Sequence, residues 1–203
     1  MKQQLVNMLA LQDKMNSKVH PEWRDQSFHW YRAVWTECAE LMDHHGWKWW
    51  KKQVPDMEQI QLEVVDIWHF GMSILLQQNN DLDAIANQIE RQWHSADNAP
   101  SFLDAVELLA ADTLSTKLFS IPLFCQLMNL AQLDLMSLYQ RYIGKNVLNF
   151  FRQDHGYKDG TYIKVWQDRE DNEHLVEILA MLNVNADDFQ EAVYSALEHR
   201  YPR

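Results

Sequence analysis

The chain has 203 residues and a formal net charge of −11, from 18 Lys plus Arg against 29 Asp plus Glu. That length suits one domain, and the acidic balance argues against a nucleic-acid backbone or an anionic membrane as partner, since both select for basic patches. Apolar residues make up 47% and nine residues are Trp, enough for a core, while only five are Gly, too few for a fold rich in tight turns.

Neither a GxGxxG pattern nor a P-loop occurs, which excludes the glycine-loop nucleotide folds. Cys38 and Cys125 lie far apart and form no CxxC pair, so two reduced, packed cysteines are expected rather than a disulfide or a thiolate zinc site. The first residues lack the apolar core of a signal peptide, and no apolar run reaches the ~20 residues of a membrane span. A soluble, cytoplasmic protein is expected.

The periodicity is helical nearly throughout. Leu5, Met8, Leu9, Leu11 and Met15 recur at three- and four-residue steps, predicting an amphipathic helix over the first ~17 residues. His20 to Trp23 supplies a turn. A second helix is predicted from about Asp25 to His45, with Gly46 where a C-terminal glycine belongs. A third runs from Asp56 to about Gln78, directing Ile60, Val64, Ile67, Trp68, Met72 and Leu75 inward. The stretch from Asp81 to Pro100 reads as a short helix and a loop. Ser101, with Asp104 three residues on, opens a helix reaching about Phe119. Pro122 fits the first turn of the next, running through Leu127 to Tyr139. Another covers Tyr142 to Arg152, an exposed loop follows over His155 to Tyr162, and helices near 172–182 and 186–199 close the chain. The expectation is one all-α domain, a multi-helix bundle over residues 1–203.

The second and third helices each carry two acids at i, i+3: Glu37 and Glu40, then Glu63 and Asp66. This spacing puts both carboxylates of a pair on one helix face. Their neighbours are apolar, including Trp35, Leu41, Leu62, Val65 and Ile67. Four carboxylates packed there repel one another and lose hydration unless a cation neutralises them, and hard oxygen ligands suit Mg²⁺ or Mn²⁺. The bland alternative is a solvated acidic face. Glu22 with Asp25, and Glu170 with Glu173, share the spacing in polar segments and serve as internal controls.

A second group is Lys145, Asn149 and Arg152, at i, i+4, i+7 on one face, with Tyr157 and Lys158 on the loop behind. In so acidic a chain this concentration of donors suits a triphosphate, although a solvated basic helix end is the plain alternative. Gln12 and Asn16 share a face of the first helix, and amides present both a donor and an acceptor, as reading a base edge requires. Trp47, Trp49 and Trp50 can stack on a ring or plug a core. His69, three residues after Asp66, can reach the site or pack as a core histidine. His44 and His45 have no partner at a metal spacing and read as surface residues.

Together, ExxE on one helix, ExxD on the next and a basic helix with its loop resemble the all-α nucleoside triphosphate pyrophosphohydrolases. The segments LALQDKMN, ECAELMDHHGWKWWK, LEVVDIWHF and YIGKNVLNFFRQDHGYKDGTY are similar to the dimeric dUTPases, across about residues 9–162. The resemblance implies a homodimer that hydrolyses dUTP, and dUDP, to dUMP. It implies that Glu37, Glu40, Glu63 and Asp66 hold two or three Mg²⁺ ions, replaceable by Mn²⁺, with Glu37 or Glu40 as general base. It places Lys145, Asn149, Arg152, Tyr157 and Lys158 on the phosphate and sugar, and Gln12, Asn16 and Trp47 around uracil, where Trp47 or His69 is a candidate base-binding wall against a thymine methyl. Two rivals stay open: a pyrophosphohydrolase for dCTP or a modified nucleotide, and an inactive helical dimerisation protein of the same fold. The last 40 residues add nothing specific.

Overall fold

In a computed structural model of the chain, residues 1–94, 96–183, 186 and 188–202 are described. Among them run nine α-helices: α1 Lys2–Val19, α2 Trp30–His45, α3 Met57–Gln78, α4 Leu82–Gln92, α5 Phe102–Thr116, α6 Ile121–Leu130, α7 Leu135–Asp154, α8 Asp171–Met181 and α9 Phe189–Arg200. The fold is all-α, as expected, with one two-stranded exception described below.

The helices start where side chains can satisfy the orphan N–H groups of a first turn. The side chains of Asp56, Asp81, Ser101, Ser120 and Asp134 accept from the backbone N–H of Gln59, Ala84, Asp104, Leu123 and Ser137. Helix α3 is the axis of the molecule. Residues on every side of it are buried, from Ile60 through Trp68 to Leu76, because α2 covers one flank, α1 another and α7 a third. A helix apolar all round belongs inside. No single helix among the described residues is long and apolar enough to cross a membrane.

Four boundaries differ from expectation. Helix α2 starts at Trp30 rather than Asp25, after a 3₁₀ turn over Trp23–Asp25. Trp23 is buried with its indole N–H on Asp13, and the rings of Phe28 and Trp30 meet edge to face, so aromatic anchoring holds residues 26–29 out of a helix. Helix α5 stops at Thr116, where Lys117 takes a left-handed φ of 62°. The chain also breaks between α6 and α7. Gln132 is left-handed at φ 59° and Asp134 caps α7, which then runs unbroken through Tyr139 and Tyr142. The last helix begins at Phe189 rather than Ala186, and the expected start takes in Asp187, which lies outside the described residues.

The expectation of helices alone missed a β-hairpin, β1 Val165–Trp166 against β2 Arg169–Glu170. Its two turn residues, Gln167 and Asp168, have φ of 51° and 62° without a glycine, so the usual Asn-Gly signal is absent. Helix α8 crowds α7 at Gly144, where an added Cβ would lie 2.6 Å from Leu179.

Candidate functional site

Helix periodicity brings the acids together. Ligand oxygens of Glu37 on α2 and of Glu63 and Asp66 on α3 all lie within 4.8 Å of one another. Glu63 is buried and Glu37 half-buried. Burial, with the charges of Asp66 and the neighbouring glutamates behind it, holds the Glu37 carboxyl well above the ordinary carboxylate range; burial and Asp66 push Glu63 the same way, against Lys145. Glu40 is exposed and outside this trio, although its charge acts on both glutamates. Lys145, 1% exposed, reaches in from α7 with Nζ 2.7 Å from Asp66. One ammonium against three converging carboxylates leaves negative charge in poorly hydrated surroundings. The donor set therefore fits a hard dication such as Mg²⁺.

The expectation for His44 is corrected: its Nε2 lies 3.7 Å from Glu63, so α2 adds an imidazole to the edge of the acidic group. His45 is likewise no free surface residue, since its ring stacks on Phe102.

A cavity of about 330 Å³ opens beside the acids, between α1, α2, α3 and α7. Glu37 and Asp66 line it together with Asn149, Arg152 and Tyr157 and with Gln12, Asn16 and His69, whose Nδ1 lies 3.9 Å from Asp66. Trp23, Phe28, Trp30 and Phe70 supply its aromatic wall. Sequence reasoning missed all four, having placed its aromatic expectation on Trp47. The structure does not bring Trp47 there. Gly46, at φ 88°, turns the chain off the end of α2, and Trp47 stands exposed with its indole N–H on Asp43 and its ring against Trp50.

The polar part of the wall is a closed network. Gln12 Nε2 donates to Asn16 Oδ1 at 3.0 Å and to Ser73 Oγ at 3.1 Å, while Gln12 Oε1 accepts from the Tyr142 hydroxyl. Asn16 Nδ2 also donates to Ser73, at 3.0 Å. Both protons of the Gln12 amide are therefore engaged, whereas Asn16 keeps one. His69 Nδ1 lies 2.8 Å from the Val65 carbonyl. A carbonyl only accepts, so Nδ1 carries the proton and Nε2 is a bare acceptor, buried and without a partner in the protein. Burial, more than the opposing charge of Asp66, pushes the imidazole down to about 4, so it is neutral at physiological pH.

On α7, Lys145, Asn149 and Arg152 follow one another along one face, Asn149 and Arg152 lining the cavity and Lys145 buried on Asp66, but they are held by residues the sequence reading passed over. Arg152 donates from Nε and Nη2 to the two oxygens of Asp171, each at 2.8 Å, and from Nη1 to Asn149. Asn172 accepts from Lys145 Nζ at 2.9 Å. Tyr157 lies below the guanidinium, 5.8 Å from its centre. Lys158 is not among the lining residues, but it donates to the carbonyl of Val19, which is one of them, at the end of α1. Asp171 and Asn172 stand in a charged run, REDNE, that reads as a helix start. The control pair Glu170 and Glu173 is in fact the capping box of α8.

A family model described as dUTPase matches residues 4–157. The chain belongs to the dimeric, all-α dUTPase family. No curated protein matches the sequence significantly. The dUTPase match spans the acids, the α1 amides, His69 and the basic face of α7. Lys158, Tyr162, Asp171 and Asn172 fall beyond it.

Proposed function

We propose that the protein is a Mg²⁺-dependent dUTP diphosphatase, hydrolysing dUTP and dUDP to dUMP in the cytoplasm as a homodimer. The observation that carries this reading is one cavity lined by His69 and Asn16 as well as by Glu37, Asp66 and Arg152, with the unpartnered His69 Nε2 acceptor buried in its wall. Uracil offers a donor at N3 and an acceptor at O4. His69 Nε2 accepts the first and the spare Asn16 proton meets the second. Cytosine would set its bare N3 against the bare Nε2, leaving a buried acceptor unpaired, and sites built this way reject mismatches strongly.

Glu37, Glu63 and Asp66 would hold the metal, with Glu40 at the edge for a second ion. When bound, Mg²⁺ supplies charge neutralisation and a more acidic water. Glu37 accepts the proton of the attacking water, Lys145 and Arg152 stabilise charge on the departing phosphate oxygens, and Tyr157 packs beneath the guanidinium.

The test is product analysis on dUTP, dCTP, dTTP and UTP with Mg²⁺. Formation of dUMP and pyrophosphate, with dUTP far ahead, supports the reading. Equal turnover of dUTP and dCTP would place the protein among pyrophosphohydrolases for other nucleotides, and no metal binding by calorimetry would make it an inactive relative.

A further inference from the structure

Asp171 opens α8, beyond the residues the family match covers. Its side chain is 0% exposed, yet it receives three hydrogen bonds: two from Arg152 and one, at 2.9 Å, from the Tyr162 hydroxyl. Burial alone would raise this carboxyl, but the Arg152 and Tyr162 bonds outweigh it and hold the group below its ordinary value, ionised. Asn172, next in sequence, accepts from Lys145 and lies 3.4 Å from Arg152 Nη2. Lys145 and Arg152 of α7 are thus both gripped from α8.

A guanidinium has five N–H donors in a rigid plane. Two are spent on Asp171, one on Asn149, and the fourth is directed at Asn172. One Nη1 proton is left for a group in the cavity that Arg152 lines.

We propose that Asp171 is a positioning residue of the phosphate clamp: it fixes the plane of Arg152 and presents the remaining Nη1 proton to a polyphosphate. The inference rests on reading the cavity as a polyphosphate site. Its partial neutralisation of Arg152 lowers raw attraction for anions, but a pre-set donor loses less freedom on binding.

The test is a double-mutant cycle read by calorimetry with inorganic tripolyphosphate and Mg²⁺, and separately with deoxyuridine, which has no phosphate. Asp171→Asn is expected to weaken tripolyphosphate about tenfold or more, in line with loss of a bond to a charged group. Deoxyuridine affinity should stay within about twofold, and adding Asp171→Asn to Arg152→Ala should cause no further loss. Unchanged tripolyphosphate affinity, full additivity with Arg152→Ala, or an equal loss of deoxyuridine affinity would overturn the proposal. Circular dichroism reports whether Asp171→Asn folds. If it does not, Asp171→Glu, which keeps the charge but moves the carboxylate by one methylene, should lose tripolyphosphate affinity alone, and wild-type affinity for both ligands would overturn it. A wild type that shows this pattern but does not turn over dUTP would sink the substrate assignment and leave the positioning role standing.

Discussion

Glu37 carries the sharpest consequence of packing three carboxylates together. Burial and its acidic neighbours raise its carboxyl, so between the ordinary carboxylate value and the raised one the folded state binds more protons than the unfolded chain. Stability from this group is complete below the ordinary value and is lost as pH rises through the raised one. Glu37→Gln removes that repulsion. The metal-free variant should melt a few degrees (~2–4 °C) above wild type at pH 8, with the difference shrinking toward pH 5. Mg²⁺ should raise the melting temperature of the wild type and not of the variant, and a metal shift retained in the variant would remove Glu37 from the ligand set. His69 supports a second test. His69→Phe keeps a ring against Tyr142, where the native rings stack at 4.4 Å, but deletes the Nε2 acceptor. It should lower kcat/KM for dUTP about tenfold or more and narrow the ratio of dUTP to dCTP turnover. An unchanged ratio would place base selection elsewhere.

At the scale of elements, the hairpin before α8 holds two consecutive non-glycine residues in the left-handed region. Gln167 and Asp168 both sit at positive φ, which ordinary side chains adopt at a cost of order 1 kcal/mol each. Replacing the pair with Asn-Gly should stabilise the protein by about 1 kcal/mol in urea unfolding. The strain is held because Trp166, fully buried with its indole N–H on Ile163 and its ring on His174, anchors the hairpin from inside. The opposite effect is expected in α7. Gly144→Ala would improve helix propensity on its own, yet the added methyl meets Leu179, so the net change should be destabilising by about 1–3 kcal/mol. A Gly144→Ala protein at least as stable as wild type would show that the end of the Leu179 side chain turns aside at little cost.

For the whole molecule, the proposed homodimer predicts a sedimenting species of twice 24.2 kDa at micromolar concentration, and a species of single mass would sink it. Trp47, Trp49 and Trp50 remain exposed on one chain, with Trp49 at 90%. The sequence by itself determined the helical class, the helix starts at Asp56 and Ser101, the two acidic pairs and the common face of Lys145, Asn149 and Arg152. All of these are set within a turn or two of one helix, where spacing translates directly into direction. What only the tertiary structure decided involves partners far apart in the chain. It put Trp30 and not Trp47 at the cavity, because the turn at Gly46 leads one away while anchoring at Trp23 and Phe28 brings the other in. It left Glu40 outside the carboxylate trio, because α2 meets α3 on the face of Glu37. It also seated Arg152 on Asp171, 19 residues on, across a hairpin that carries no glycine to announce it. Two carboxylates look alike in a sequence; which one is buried against a cation depends on where the intervening chain turns.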